Sequence, residues 1–300
     1  MGTTIFGSVA LDSVKTSFGK GSNLLGGSAS YASLSASFFN KVDIISIVGI
    51  DFPKKYFSLF KEKGINVSSL EQKKGETFKW KAEYNKDMSC AKTLDTKLNV
   101  FENFIPKVSD NIDPKNILLL ANIDPELQYY VLNKVKSTNL VVCDTMNLWI
   151  ETKKKDLIKV MKKVDLFLMN EEEAKQFSGE KNLLNAAKFI LSKGPKMLVI
   201  KKGEHGALFF YNKRLDFVVN AYLTNKAVDP TGAGDTFVGA MVGYISRSKK
   251  ITDNVLRTSL VYGSILASFT VEDFSANGLL NITNKDLKKR YDFLKKVTRF

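Results

Sequence analysis

Histidine occurs once in this 300-residue chain, cysteine twice and proline six times. One histidine rules out a histidine-rich metal centre, and any histidine-based triad would have to use His205. That residue stands in Gly203-Glu204-His205-Gly206, which reads as a turn. The two cysteines, Cys90 and Cys143, lie in different segments. They fit free thiols in a reducing cytoplasm better than a disulfide framework. No stretch reaches the roughly 18 apolar residues of a membrane helix, so no membrane partner is expected. Met1 to Leu11 has no basic leader and runs straight into strand-like sequence, so the expectation is a cytoplasmic protein without a signal peptide. Two phosphate-binding loops are missing as well: there is no G-x-x-x-x-G-K-[ST] and no strand followed by G-x-G-x-x-G. Asp273-Phe274-Ser275 does not make a protein-kinase signature.

Acidic residues are the scarcer charge, 31 against 45 basic ones, for a net +14. The lysines come in scattered pairs, such as Lys162-Lys163, Lys201-Lys202 and Lys249-Lys250, and not as one patch interleaved with aromatics. They read as solvated helix and loop faces. A module for nucleic acid would show steeply salt-dependent binding, and the dispersion argues against it. Attraction of small anionic substrates is the modest inference.

What is present is a 44% hydrophobic chain long enough for one large α/β domain, here taken as residues 1–300. Strand–helix alternation is regular from Ile117. Short apolar runs recur at 117–122, 140–144, 164–169 and 197–201, separated by helical stretches such as Pro125 to Val135. Thr3 to Val9 and Val42 to Val48 read as earlier strands. Thr77 to Tyr84 alternates, turns at Asn85-Lys86-Asp87 and returns towards Thr93, a hairpin that interrupts the alternation. Its Phe78, Trp80 and Tyr84 fall on one face, and an exposed aromatic face calls for a partner.

The stretch that organises the chain is Ala227-Val228-Asp229-Pro230-Thr231-Gly232-Ala233-Gly234-Asp235-Thr236-Phe237. Two glycines free the backbone where an extended segment feeds a small-residue helix. The first amides of that helix have no internal acceptor, and with the helix dipole they form an anion site. A carboxylate placed there repels an anion unless it does chemistry beside it. Asp235 can take the proton of a hydroxyl attacking a phosphoryl group while the amides hold the developing charge. The plainer alternative is a glycine turn whose Asp caps a helix. Asn170-Glu171-Glu172-Glu173 also has a plain reading, as a capping box.

Asp-Pro-Thr-Gly-Ala-Gly-Asp resembles the C-terminal signature of the ribokinase-like (PfkB) sugar and nucleoside kinases, usually Asp-Thr-x-Gly-Ala-Gly-Asp. Gly26-Gly27-Ser28-Ala29-Ser30-Tyr31 resembles the N-terminal signature, Gly-Gly-x-x-x-Asn, with Tyr31 where Asn is usual. Gly49-Ile50-Asp51 and Asn170-x-x-Glu173 resemble two further family segments, and the likeness extends from Gly7 to about Gly278.

The resemblance implies a three-layer α/β/α fold with a mostly parallel central sheet and a small β lid from about 12–22 and 72–98. It implies an ATP-dependent kinase of a sugar hydroxyl, or alternatively of a nucleoside. Asp235 is then the base, and the amides of Gly232, Ala233 and Gly234 form the anion hole. Asp12, Gly26, Gly27, Tyr31 and Asn122 fall on the acceptor side, with Tyr31 stacking on a ring or filling space. Lys201, Gly203, Gly206 and Asn170 fall on the nucleotide side, with Asn170 and Glu173 holding Mg²⁺ through water. Asp229 and Thr231 match positions that hold a monovalent cation such as K⁺, and the end of the second small-residue helix, with Phe269 to Gly278, borders adenine. A homodimer through the lid is implied too. A nucleotide-binding protein without activity is the reading outside catalysis; the intact Asp235 argues against it.

Overall fold

A computed structural model describes residues 1–88, 91–108, 112–135 and 138–299. Its strands are β1 (Thr3–Phe6), β2 (Ala10–Thr16), β3 (Gly19–Gly26), β4 (Val42–Gly49), β5 (Ile65–Lys73), β6 (Phe78–Tyr84), β7 (Ala91–Lys97), β8 (Ile117–Leu120), β9 (Leu140–Cys143), β10 (Leu166–Asn170), β11 (Met197–Lys201), β12 (Ala207–Tyr211) and β13 (Arg214–Val219). Nine of them form one sheet in the order β13-β12-β11-β10-β9-β8-β1-β4-β5. From β11 to β5 every neighbouring pair is parallel, and β12 and β13 close one edge as an antiparallel hairpin.

Short apolar runs make these strands because both faces are covered. Ile117 and Leu119 point into one core and Leu118 and Leu120 into the other; Leu166 and Leu168 part from Phe167 and Met169 in the same way. One core is closed by helices Ser28–Ala36, Ala233–Ser246 and Asp253–Thr270, the other by helices Pro125–Lys134, Lys154–Met161 and Leu183–Leu191. The result is the expected helix–sheet–helix sandwich. Helix Ala233–Ser246 is small along one side because it presses on helix Ser28–Ala36: a methyl group at Gly239 would lie 2.3 Å from the carbonyl oxygen of Ala32.

Strand β1 has β4 on one side and β8 on the other, so the chain reverses its direction of travel across the sheet there. In open parallel sheets ligands gather at the carboxyl ends of the strands beside such a switch. Asn122, Asp144, Asn170 and Lys201 all end or follow strands on that edge.

The other four strands form a second sheet, β3-β2-β6-β7, in which two hairpins join through the parallel β2–β6 pair. Two expectations change here. Gln72 and Lys73 belong to β5, an edge strand of the large sheet that the sequence did not announce, because its polar residues hide the alternation. Two aromatics on that face of β6 turn inward. Phe78 packs on Phe101, and the Thr231 hydroxyl donates to the Tyr84 hydroxyl at 3.3 Å. Phe78 and Tyr84 therefore find partners within the same chain, the Trp80 indole donates to the Thr93 hydroxyl of β7 at 3.2 Å in an exposed contact, and Lys81 is exposed on the other face. Cys90 lies outside the described residues.

Candidate active site

Helix Ala233–Ser246 begins at Gly232, whose φ of 74° lies in the left-handed region. A methyl group there would sit 2.5 Å from the ring of Tyr31, so both the turn and the packing require glycine. Gly234 has an ordinary backbone and a different reason to be small: Lys201 Nζ lies 3.3 Å from where its Cβ would be. The Ala233 amide turns back to the Pro230 carbonyl at 3.2 Å. Of the three expected anion-hole amides it is therefore engaged in this state, while that of Gly234, in the first helical turn, has no intrahelical acceptor.

Asp235 stands in this first turn with no ion pair among the described residues. Its pKa is pushed up to about 7, first by loss of solvent and then by the charge of Asp144, against the pull of Lys201. A carboxyl poised near neutrality is suited to taking a proton.

Asp12 comes from the middle of β2 and not from the end of β1, so it belongs to the lid. Only 6% exposed, it too is pushed up to about 7, by burial above all, with Asp235 and Asp229 adding to the shift and the Gly27 amide opposing it. The diglycine is what makes room for it. A Cβ at Gly26 would fall 1.9 Å from the Asp12 carboxylate, and Gly27 takes a φ of 89° against the Ser8 backbone.

Tyr31 is 1% exposed, and its hydroxyl, with the Ser275 side chain nearby, makes no hydrogen bond of good geometry among the described residues. Burial, then the charges of Asp12 and Asp229, hold its pKa well above that of a free phenol, so it is a neutral donor. Asp12, Val14, Leu24, Tyr31, Asp229, Phe274 and Ser275 enclose a cavity of ≈ 10 Å³, room for about one water. The space expected for the acceptor is thus nearly filled in this structure. Asn122 has its amide oxygen taken by Trp149 Nε1 at 3.0 Å and its carbonyl by the Ser28 hydroxyl at 2.8 Å, both fastenings of the scaffold.

On the nucleotide side the capping box is complete: Asn170 Oδ1 accepts from the Glu173 amide at 2.8 Å, and Glu173 Oε2 accepts from the Asn170 amide at 2.7 Å. Glu173 Oε1 accepts no hydrogen bond among the described residues. Burial pushes Glu173 up to about 7, Lys201 opposing. A buried carboxylate with one free oxygen, and no cation paired to it, fits a hard divalent ion held through water. Asp229 is buried, accepts the Thr231 and Ser275 amides at 2.9 and 3.2 Å, and has no basic side chain in ion-pair contact among the described residues. Its uncompensated charge fits a monovalent cation. Gly203 and Gly206 flank the turn after β11 with φ of 56° and 82°. His205 is exposed there. An open groove of ≈ 560 Å³ lies apart from the acceptor side, between Tyr222–Lys226, Glu272 and Arg290.

The sequence reading did not single out Asp144 as a site residue. It is buried, and both of its oxygens take Lys201 Nζ, at 2.9 and 2.7 Å. Burial pushes its pKa up and Lys201 opposes, but two short contacts, one to each oxygen, are those of an ionised carboxylate. Two signals pointed to it: its place at a strand's carboxyl end, and a loose likeness of Asp144-Thr145-Met146-Asn147-Leu148-Trp149 to the family's Asp-Pro-Asn…Leu-Trp segment.

A helix N-terminus with the Gly234 amide left over, a carboxyl raised towards neutrality in its first turn and a second buried carboxyl on β2 fit a phosphotransferase acting on a hydroxyl. The pfkB family carbohydrate kinase profile matches residues 9–282, and the chain belongs to that family. It is 27% identical over 255 residues to a cytidine kinase of Thermococcus kodakarensis, covering 84% of this chain and 91% of that one. Over 118 residues, 38% of this chain and 37% of the other, it is 36% identical to a ribokinase of Staphylococcus aureus. The crystal structure of a Methanocaldococcus jannaschii nucleoside kinase, an archaeal member of the ribokinase family, superposes with a TM-score of 0.75 at 21% identity, covering 99% of both chains. The fold is ribokinase-like.

Proposed function

We propose that this kinase transfers the terminal phosphoryl group of ATP to a hydroxyl of a ribose-type sugar, with Asp235 as the base. The observation that carries this reading is the place of the Asp235 carboxyl, in the first turn of the helix that opens at Gly232, where loss of solvent favours its taking up a proton. Asp12 accepts from one or two hydroxyls of the acceptor and orients the attacking one. Tyr31 donates its hydroxyl to the same molecule. The attacking oxygen gives its proton to Asp235 as it bonds to phosphorus, and the bond to the bridging oxygen of ADP breaks. The Gly232 and Gly234 amides receive charge on the phosphoryl oxygens, joined by that of Ala233 once it leaves Pro230.

Lys201, Gly203, Gly206 and Asn170 lie along the nucleotide. Asn170 and Glu173 would hold Mg²⁺ through water, and that ion supplies charge neutralisation on the phosphates when bound. Asp229 and Thr231 would hold K⁺ beneath the anion hole. A lid that must open to admit an acceptor and close to react keeps water from competing. The lid would also join two copies: β3 and β7 are open edges of its sheet, and Phe18 and Leu94 are exposed on it. A cytoplasmic setting agrees with a buried free thiol at Cys143.

A nucleoside acceptor is the second reading. It is favoured by the Tyr31 and Phe274 rings at the cavity and by the long match to a cytidine kinase.

The test is ADP release with Mg-ATP and K⁺ against pentoses, hexoses and nucleosides, for the native chain and Asp235→Asn. Turnover on one group, reduced about 10²- to 10⁴-fold by the substitution with ATP binding retained, is the expected result. A variant that keeps most of its rate removes Asp235 as the base.

A further inference from the structure

Lys201 ends β11, and its side chain reaches past β10 to the end of β9. Its ammonium holds both oxygens of Asp144, and both side chains are largely buried, 15% and 3% exposed. The same ammonium stands beside Gly234, in the first turn of the helix that receives the anion. It is also the basic group whose charge acts on Asp144, Glu173 and Asp235 alike. Asp144 is the carboxylate in contact with this ammonium, while Glu173 and Asp235 feel its charge without pairing to it. A pair kept only for the fold would gain the protein little, since buried ion pairs contribute little over apolar residues of the same volume.

We infer that the Lys201 ammonium binds the phosphoryl group being transferred, beside the Gly234 amide, and that Asp144 is the positioning residue that holds it there. This rests on the reaction proposed above. Lys201 gives up no proton. The acceptor oxygen bonds to phosphorus, the bond to the ADP oxygen breaks, the acceptor proton goes to Asp235, and the ammonium stays on the phosphoryl oxygens throughout. Asp144, with one oxygen on each side of Nζ, limits the lysine to one of its many rotamers.

The rival explanation is that Lys201 only neutralises Asp144. Lys201→Met, Asp144→Asn and the double variant separate the two, because the double variant leaves neither member of this pair without its partner and carries the test where Lys201→Met alone is poorly folded. Binding of Mg-ATP and Mg-ADP is measured by calorimetry, with no acceptor present. The expected result is a loss of about 10- to 100-fold in ATP affinity, the worth of one charge-assisted hydrogen bond, with ADP affinity changed less than about threefold. The loss persists in the double variant. In turnover, Asp144→Asn lowers kcat about tenfold while the KM for ATP moves little, a split that a purely structural role would not produce. Recovery of native ATP affinity in the double variant, or equal losses for ATP and ADP, overturns the inference. Lys201-dependent ATP selectivity in a chain that phosphorylates no sugar or nucleoside would instead refute the reaction and leave Lys201 in its place.

Discussion

Replacing Asp12 by Asn should make the protein more stable and the enzyme worse. The Asp12 pKa rises from 3.8 to about 7 in the folded chain, chiefly through burial. Below pH 3.8 the carboxyl is protonated both folded and unfolded, and its ionisation takes nothing from stability. Between 3.8 and about 7 the unfolded chain loses the proton and the folded chain keeps it, so stability falls by about 1.4 kcal/mol per pH unit. Above about pH 7 the loss levels off at about 4 kcal/mol, as an order-of-magnitude ceiling. Asn keeps the oxygen that accepts the Gly27 amide and never ionises. Its advantage is therefore about 2 kcal/mol at about pH 5 and about 4 kcal/mol at about pH 8, a growth of roughly 2 kcal/mol or slightly more. Urea unfolding of the ligand-free protein and of Asp12→Asn at both pH values measures that growth. The KM for the acceptor should rise at least about tenfold in the same variant, since a neutral amide replaces a charged acceptor of two hydroxyl bonds. A stability difference equal at both pH values would refute the reasoning, because it would mean that the folded carboxyl titrates where a free one does. Residues kept for substrate at a cost in stability are expected at active sites.

Tyr31→Phe removes a hydroxyl that makes no hydrogen bond of good geometry among the described residues, so melting should stay level or rise, while the acceptor KM rises about tenfold and the KM for ATP is unchanged; a drop in Tm would show that the hydroxyl is bonded in the folded protein, Ser275 being the side chain beside it. Gly232→Ala places a methyl group against the Tyr31 ring at a φ of 74°, and should cost at least about 2 kcal/mol of stability and most of kcat; native-like kinetics would mean that the turn is not part of the anion site. Asn170→Ala opens the capping box, costs about 1 kcal/mol and should raise the Mg²⁺ needed for half-maximal rate several-fold, whereas a purely structural cap would leave the Mg²⁺ titration where it was.

The three-layer sandwich was legible because alternate residues of short apolar runs, such as Leu118 and Leu119, have nowhere to go but two opposite cores. Asp235 and the glycines before it were legible because the backbone and charge demands of that turn are packed into one short stretch. The capping box at Asn170 was legible for the same reason, since its partners are three residues apart. Strand β5 was not, because polar side chains on an edge strand leave no alternation to read. Asp144 was not, because its meaning lies in Lys201, 57 positions away.

The sequence by itself determined the helix that opens at Gly232, the parallel sheet and the family, all of which rest on local backbone geometry or on the period of apolar residues. Only the tertiary structure decided what the charges do. Loss of solvent raised Asp12, Glu173 and Asp235 to about 7, and the convergence of β9, β10 and β11 set the Lys201 ammonium against Asp144. The tertiary structure also turned two aromatics of β6 inward and reduced Gly26 to a space reserved for Asp12. Desolvation and charge coupling depend on distances between residues far apart in the chain, and the order of letters does not carry those distances.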